Sequence, residues 1–182
     1  MEVDNKENID GLTGLLRYSD GIQALIEAIN RVDTKRIINS SRASSFGIVF
    51  ADIYKLKSPH DRYGHTPVDD VIHDVGGVIK NLSKETDIAF RYGGDEFVLI
   101  MTNVTEEETK QRAEQIRLEA SKVRIKDYDG QLRENIHLSI GTVHYPTISL
   151  NPNSNLIGVE ALLIYADEDL QRDRKRNQEI YG

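Results

Sequence analysis

The sequence predicts an α+β fold of the ferredoxin-like, split βαβ type, with an antiparallel central hairpin and flanking helices. Two strand-like runs, at 88–92 and 97–101, flank a Gly-Gly pair, which favours a tight hairpin with positive φ at its central residues. Apolar periodicity predicts the order strand, helix, strand, strand, helix, strand, helix, with one additional leading helix. The 182 residues are enough for one domain with its own core.

Composition and charge exclude several classes of protein. The chain has no cysteine, so it forms neither disulfides nor thiolate metal sites. Its formal net charge of −7 argues against nucleic acid as a partner, because such binding places cations against phosphates. No apolar run is long enough for a membrane segment and no signal-peptide pattern is present, so we expect a cytoplasmic location. We expect residues 1–9 to form a flexible N-terminal segment and residues 10–182 to form the domain.

The first predicted elements are a turn and a helix. Residues 10–15 read Asp-Gly-Leu-Thr-Gly-Leu and predict a compact turn. Ser19 or Asp20 can cap the helix, in which apolar residues recur every three or four positions as far as Val32. Residues 33–45 are polar and predict a loop.

A short strand and a second helix are predicted next. Residues 46–51 are apolar throughout, which predicts a buried strand that ends at Asp52. The segment 54–67 contains prolines and a glycine and predicts irregular structure. Asp69 and its acidic neighbour then suit the first turn of a helix that runs to about Leu82, because acidic side chains interact favourably with a helix N-terminus.

After the first hairpin, the sequence predicts a helix and a second hairpin. Residues 105–108, Thr-Glu-Glu-Glu, form a capping box at the start of a helix that runs to about Lys122. Residues 123–126 and 135–145 predict the strands of the second hairpin. The apolar alternation changes phase at Gly141, which predicts a β-bulge.

The last predicted element is a helix. Residues 147–155 are rich in Pro, Asn and Ser and predict a loop before it. Apolar residues at helical spacing follow. We expect the helix to end in the basic run at 172–176, because cations suit a helix C-terminus.

Acidic residues at strand ends predict a site for divalent cations. Asp52 ends the first strand and Asp95 follows the hairpin turn, and these strands can be neighbours in a split βαβ sheet. Paired carboxylates hold hard divalent cations, and two such ions can clamp the attacking and leaving oxygens of a phosphoryl transfer. In a regular strand Asp95 and Glu96 point to opposite faces, so at most one shares the face of Asp52 unless the turn distorts the strand. The alternative is that Asp52 only caps the loop that follows it.

Longer motifs in the chain resemble those of the GGDEF family of diguanylate cyclases. Residues 91–97, Arg-Tyr-Gly-Gly-Asp-Glu-Phe, match the family signature without a change. Residues 10–15 resemble its opening motif, and residues 52–61 resemble its Asp-x-Asp-x-Phe-Lys-x-x-Asn-Asp segment. Shorter matches follow in the family's order: Gly64, His65, Asp69, Ser139 to Gly141, and Ala166 with Asp167. Together the matches extend from Asp10 to about Asn177.

The resemblance implies an enzyme, a diguanylate cyclase with the palm-like fold of nucleotidyl cyclases and polymerases. It would join two GTP molecules into cyclic di-GMP and release two pyrophosphates, with two Mg²⁺ or Mn²⁺ ions in each active site. Each domain would hold one GTP, so the reaction implies at least a transient homodimer. Such domains are usually attached to a sensor domain, which we expect here if the sequence is a fragment.

The resemblance also implies roles for individual residues. The expected metal ligands are Asp52, Asp95, Glu96 and the carbonyl of Ile53. The expected substrate contacts are Lys57, His60, Asp69, Gly93, Gly94 and Arg174. Asp95 and Glu96 are the expected catalytic residues, and Glu96 would help to activate the 3′-hydroxyl. Lys57 and Arg174 would contact phosphate, Asp69 would accept hydrogen bonds from guanine, and the glycines would let the backbone approach the triphosphate.

The chain departs from the family at positions that hold ligands. His60 replaces an asparagine that reads guanine, and an imidazole cannot reproduce the paired donor and acceptor of an amide. Gln178 replaces a phosphate-contacting arginine, unless Arg176 substitutes for it. Lys84 and Asp87 occupy the family's inhibitory Arg-x-x-Asp motif, and lysine lacks the planar fork that suits guanine and phosphate. We therefore expect a degenerate inhibitory site.

Three functions follow from this comparison of motifs. The first is an active, Mg²⁺-dependent diguanylate cyclase. The second is a catalytically weak or inactive domain that binds GTP or a partner protein as a regulatory module, which His60, Gln178 and Val68 (in place of a glycine) favour. The third is an enzyme that retains the chemistry but is less selective for the base, so that it also uses ATP or forms mixed products.

Overall fold

The computed structural model describes residues 8–38, 45–56, 59, 62–127, 129–145 and 155–181. They include four long helices: α1 (Tyr18–Ile38), α2 (His65–Leu82), α3 (Glu106–Ala120) and α4 (Asn155–Tyr181). They also include six strands: β1 (Phe46–Ile53), β2 (Ile88–Gly93), β3 (Glu96–Thr102), β4 (Arg124–Lys126), β5 (Leu132–Asn135) and β6 (Leu138–Tyr145). None of the described helices is long and apolar enough to cross a membrane.

Four of the strands form one antiparallel sheet in the order β2-β3-β1-β6. This is the strand order of a split βαβ fold, so the predicted fold class is confirmed. β1 lies between β3 and β6 and pairs with both. We expected both hairpin strands in the middle of the sheet, but only β3 is internal. β2 is at an edge, because β6 returns on the far side of β1.

Helices cover both faces of this sheet. β1 is buried along its whole length, and Val49, Ala51 and Ile53 belong to the core that includes α2 and α3. Its alternate residues, such as Ile48 and Phe50, belong to a second core with α1 and α4. α2 and α3 therefore cover one face of the sheet, and the leading and last helices, α1 and α4, cover the other. Burial on both faces explains why this strand is apolar without alternation.

Both edges of the sheet are blocked against further strand pairing. On the β2 side, the Leu16 N–H donates to the Ala89 carbonyl at 3.1 Å, and the Leu16 carbonyl accepts from the Arg91 N–H at 3.0 Å. On the β6 side, Asp169 and Asp173 of α4 each accept a backbone N–H of the strand at 2.8 Å. Occupied edge groups of this kind protect a sheet from pairing with another chain.

α2 begins earlier than the sequence predicts. Its first residue is His65, after an N-cap at Gly64, so Asp69 does not lie in the first turn. Pro67 does not interrupt the helix, because the first N–H groups of a helix have no partner within it and a proline there removes no hydrogen bond. The expected contact between an acidic pair and the N-terminus of α2 is therefore wrong.

α1 and α3 agree with the prediction in type, and α3 also in its start. α1 begins at Tyr18, so Ser19 and Asp20 lie in its first turn and neither is the predicted cap. α1 extends to Ile38 rather than to about Val32. α3 has the predicted capping box, in which the Glu108 N–H donates to the Thr105 hydroxyl at 3.1 Å and the Thr105 N–H donates to the Glu108 carboxylate at 2.7 Å.

α4 continues through the basic run at 172–176 and ends at Tyr181, so the predicted end is wrong. The reason is tertiary: Asn177 is buried, and its amide donates to the Leu138 carbonyl at 3.0 Å and to the Ser139 hydroxyl at 3.1 Å. These bonds attach the end of α4 to β6.

The second predicted hairpin is divided between two sheets. β4 and β5 pair as a separate ribbon, and β6 joins the main sheet. The register of β1 with β6 continues without a shift, so the predicted bulge at Gly141 is wrong. The apolar phase changes because both faces of β6 are covered. A Cβ on Gly141 would lie 2.0 Å from the Ala166 carbonyl oxygen, so this glycine lets α4 approach the sheet.

The substitution Gly141→Ala should destabilise the fold by about 2–3 kcal/mol, because the added methyl meets the backbone of α4 rather than a movable side chain. Gly77→Ala in α2 is the control: a Cβ there meets no atom within 4 Å. The control should stabilise the protein by up to about 1 kcal/mol through helix propensity. Urea denaturation measures both, and equal stability of the two variants would contradict the close approach.

Candidate active site at the hairpin turn

A turn of two residues, Gly94 and Asp95, joins β2 to β3. The predicted hairpin is confirmed, but its turn lies one position later than expected, because Gly93 pairs with Glu96. Neither Gly93 nor Gly94 has a positive φ. The reasoning from a primed turn is therefore wrong, and the register shift between Arg91 and Gly93 accompanies this different turn geometry.

Arg91 braces this turn. Its Nε and Nη2 donate to the Gly94 carbonyl at 3.0 and 2.6 Å, and its Nη1 lies 3.3 Å from the Asp10 carboxylate. Asp10 also accepts from the backbone N–H and hydroxyl of Thr13 at 2.9 and 2.8 Å. Partial burial acts to raise the pKa of Asp10, but the Thr13 hydrogen bonds and the Arg91 charge hold that pKa below its usual range. The opening motif and the signature motif therefore form one network.

The ends of β1 and β3 place Asp52 and Glu96 opposite each other. Opposite residues of an antiparallel pair share a face, so Glu96, rather than Asp95, shares the face of Asp52. The Ile53 N–H donates to the Asp95 carbonyl at 3.2 Å, which holds the turn against the end of β1. The prediction that the first strand and the hairpin are neighbours is confirmed.

Asp52 is buried, and its described partner is Arg174 of α4. The Arg174 Nη2 donates to the Asp52 Oδ2 at 2.6 Å, and the Asp52 side chain is only 3% exposed. Among the described residues its hydrogen-bond donor is thus a helix side chain rather than the loop after β1. Burial raises the pKa of Asp52 to about 6, and the nearby charges of Asp95 and Glu96 add to this effect against the opposing Arg174 bond.

Glu96 lies in acidic surroundings that include a residue outside the predicted site. Burial raises the pKa of Glu96, and the charges of Asp95 and Asp167 raise it further, while Arg174 opposes them. Asp167 belongs to one of the motif matches on α4, but its sequence position gives no sign that α4 faces the hairpin. The signal that could have found it is the helical spacing of Asp167 and Arg174, which are seven residues apart on one face.

An open cavity of about 710 Å³ lies beside Glu96, between α1, α4 and the sheet. Tyr92 of the signature motif lies in its wall, with ring centroids 5.2 Å from Tyr18 and 5.0 Å from Phe50. Burial raises the pKa of the Tyr92 hydroxyl, and the nearby Tyr18, Glu96 and Asp167 add to this. The cavity therefore combines an aromatic wall with an acidic rim.

The donor chemistry at the ends of β1 and β3 fits divalent cations. Asp52, Asp95 and Glu96 offer hard oxygen ligands, and the mutual repulsion of these carboxylates is what a cation relieves. In the described ranges, however, no three acidic or histidine side chains are arranged as a ready metal site. One of the carboxylates is held by Arg174 instead. The Ile53 carbonyl stays a predicted ligand.

The structure describes only some of the predicted substrate contacts. Lys57 and His60 lie outside the described residues. Asp69 is exposed on α2. A Cβ on Gly94 would meet no atom within 4 Å, whereas a Cβ on Gly93 would lie 3.1 Å from a Glu96 carboxylate oxygen. Gly94 therefore borders open space where a ligand could approach the backbone.

The basic residues of α4 point to different surroundings. Arg174 reaches Asp52, whereas Arg176 lines a groove of about 390 Å³ formed by α3, β6 and α4. Gln178 is exposed. Arg176 therefore does not substitute at the site for the arginine that is lost at Gln178.

Asp87 of the predicted inhibitory motif is directed inward. Its side chain is only 2% exposed, and its carboxylate lies 3.6 Å from the Arg112 guanidinium. It also accepts from the Lys84 N–H at 2.9 Å. Asp87 thereby closes the turn between α2 and β2. Lys84, in contrast, is exposed.

Comparison with known proteins identifies a family model and several relatives. Residues 8–179 match the model described as "Diguanylate cyclase, GGDEF domain". The chain is similar to diguanylate cyclase DosC of Escherichia coli (strain K12), with 28% identity over 168 residues, 89% of this chain and 35% of that protein. It is also similar to diguanylate cyclase A of Treponema denticola, with 31% identity over 143 residues, 78% of this chain and 36% of that protein. The chain thus spans about a third of the length of these curated relatives.

Solved structures share the fold. The GGDEF domain of DgcB from Caulobacter crescentus, in complex with c-di-GMP, has a TM-score of 0.80 at 23% identity and covers 96% of this chain and 94% of its own. The FimX GGDEF domain from Pseudomonas aeruginosa has a TM-score of 0.78 at 14% identity, with 93% and 94% covered. These likenesses confirm the fold class.

The metal-free protein should lose stability as the pH rises through about 6, because the folded-state pKa of Asp52 lies above the ordinary value of 3.8. Protonated Asp52 therefore favours the folded state at low pH, and this contribution, on the order of 1 kcal/mol, is lost as the folded-state pKa is passed. Urea denaturation in a chelator between about pH 5 and pH 7.5 measures the effect.

The variant Asp52→Asn should flatten that part of the pH profile. Asp129→Asn, which changes an exposed carboxylate in another hairpin turn, should leave the profile unchanged. A profile of Asp52→Asn with the same slope as the unmodified protein would show that Asp52 does not titrate in this range.

Proposed function

The chain belongs to the GGDEF domain family, and on that premise we propose that it is a diguanylate cyclase, an enzyme that condenses two GTP molecules into cyclic di-GMP and two pyrophosphates. The observation that supports this most is the alignment of Asp52 with Glu96 across β1 and β3, directly beside Asp95 of an unaltered signature. The names of two relatives, at 28% and 31% identity, agree with it.

The proposed cofactor is a pair of Mg²⁺ or Mn²⁺ ions per active site, which when bound supply positive charge against the α-phosphate and the departing pyrophosphate. Asp52 and Asp95 would hold the ions, with the Ile53 carbonyl as a further ligand. The 3.2 Å bond from the Ile53 N–H to the Asp95 carbonyl keeps these two segments in register. This bond therefore positions the two segments that would hold the ions.

Glu96 is the proposed acceptor of the proton from the attacking 3′-hydroxyl. Burial and the neighbouring Asp95 raise its pKa, which makes its carboxylate a stronger base than an exposed glutamate. Because Glu96 lies opposite Asp52, it is close to the place where the ions would bind. Glu96 would also be a ligand for the second ion.

The remaining contacts would hold the nucleotide. Lys57 and Arg174 would bind phosphate, and His60 and Asp69 would read guanine. The open space at Gly94 leaves room for the triphosphate close to the backbone. Because one domain would hold one GTP, a homodimer must form at least transiently to join two of them. We place the reaction in the cytoplasm, with an attached sensor domain if this chain is part of a longer protein.

A second candidate function is a weak or inactive domain that binds GTP or a partner protein. The observation that favours it is the ion pair from Arg174 to Asp52, which occupies a predicted metal ligand. The exposed Gln178 adds to it, since no described arginine on that side replaces the lost phosphate contact. GTP binding in calorimetry without turnover would favour this candidate, and competition by ATP would reveal a relaxed choice of base.

Incubation of the protein with GTP and Mg²⁺ at high protein concentration should yield cyclic di-GMP, detected by chromatography. Asp95→Asn should lower the rate by about a hundredfold or more, because a ligand to charge-stabilising ions is lost. The melting temperature should stay close to that of the unmodified protein, since a turn carboxylate contributes little stability. Asp129→Asn, in the exposed turn between β4 and β5, is the matched control and should retain full activity.

The absence of product from a correctly folded preparation would contradict the proposed enzyme. Equal losses in Asp95→Asn and Asp129→Asn would contradict the assignment of Asp95 to the site.

Inhibition by cyclic di-GMP through Lys84 and Asp87 should be weak or absent. Lysine cannot grip guanine and phosphate in a planar fork, and Asp87 is buried against Arg112. Asp87→Ala should therefore lower stability, by about 1–3 kcal/mol, rather than alter product binding. Calorimetric titration that shows sub-micromolar cyclic di-GMP binding, abolished by Asp87→Ala in a folded variant, would refute this prediction.

A further inference from the structure

Among the described residues, Arg174 is the only cation that forms an ion pair with Asp52, Asp95 or Glu96. It donates to Asp52 at 2.6 Å, while Asp95 and Glu96 form no ion pair with any described residue. The two partners differ in environment, because the Asp52 side chain is 3% exposed and the Arg174 side chain is 42% exposed. Asp52 lies at the end of an internal strand, whereas Arg174 reaches it from α4 with a side chain that is partly open to solvent.

This geometry makes Arg174 a competitor of a divalent cation. The guanidinium engages Oδ2, one of the two oxygens through which Asp52 would hold a metal ion, and a cation on either oxygen would be repelled by the positive charge of Arg174 at such short range. The competition is moderate rather than absolute, because a half-exposed arginine can leave its partner and be solvated.

A triphosphate changes the balance. A guanidinium binds phosphate oxygens as well as it binds a carboxylate, because its planar set of N–H donors suits both groups. A nucleotide that brings phosphates to the ends of β1 and β3 therefore offers Arg174 a new partner. Asp52 would then be available to a metal ion while the phosphates also require positive charge.

We propose that Arg174 couples metal binding to nucleotide binding: it holds Asp52 in the nucleotide-free domain, weakens the binding of free metal, and transfers to phosphate when the nucleotide arrives. The inference rests on the proposed function, because it takes Asp52 as a metal ligand and a nucleoside triphosphate as the substrate. It adds a second task for Arg174, the control of when Asp52 is available.

The test is the affinity for Mn²⁺ in the absence of nucleotide, measured by electron paramagnetic resonance of the free ion. Arg174→Gln should bind Mn²⁺ about tenfold more tightly than the unmodified protein, since the fraction of domains with an available Asp52 rises. Arg176→Gln is the matched control, because it removes the same charge from the same helix but lines a different groove. It should change the affinity little. Arg174→Lys, which restores the charge, should return the weaker binding.

A non-hydrolysable GTP analogue supplies the second arm. It should raise the Mn²⁺ affinity of the unmodified protein more than that of Arg174→Gln, because only the unmodified protein has an ion pair to release. Circular dichroism establishes that each variant is folded.

Equal Mn²⁺ affinities for Arg174→Gln and Arg176→Gln would overturn the inference, and so would a failure of Arg174→Gln to bind Mn²⁺. A cyclic di-GMP assay on the same samples separates the two proposals. Product formation with equal Mn²⁺ affinities would leave the enzyme and remove the coupling. Tighter Mn²⁺ binding by Arg174→Gln without any product from the unmodified protein would support the coupling and contradict the enzyme.

Discussion

A carboxylate buried at the end of an internal strand is the constraint on which this structure depends. β1 is covered on both faces and paired on both sides, so Asp52 at its end has little access to water. A buried charge requires a compensating cation, because desolvation otherwise favours its neutral form. Arg174 supplies one positive charge, but Glu96 and Asp95 add negative charge beside Asp52. The site is therefore short of positive charge, which divalent cations bound there would supply.

The rest of the fold places this charge. The opening motif reaches the hairpin through Asp10 and Arg91, and Arg91 fixes the Gly94 carbonyl in the turn. α4 approaches the sheet closely at Gly141, which brings Arg174 within reach of Asp52. Motifs that are far apart in the sequence therefore meet at the ends of β1 and β3, and a change in the packing of α4 would alter the electrostatics of the site.

The sequence was sufficient for the fold class, the hairpin and the capping box at Thr105, because each has a local pattern with a physical cause. It was insufficient where tertiary contacts decide. Gly141 looked like a bulge, although it serves the approach of a helix, and the basic run of α4 looked like a helix end, although Asn177 extends the helix along β6. At the site, the pairing of Asp52 with the hairpin followed from topology, but the ion pair with Arg174 joins residues too distant in the chain for any local pattern to reveal.

A crystal structure with Mg²⁺ and a non-hydrolysable GTP analogue tests the central claim most directly. The account predicts metal density between Asp52 and Asp95, with the Arg174 guanidinium on phosphate rather than on Asp52. The account would be contradicted by a nucleotide bound at the ends of β1 and β3 while Arg174 still engages Asp52, or by a nucleotide bound elsewhere.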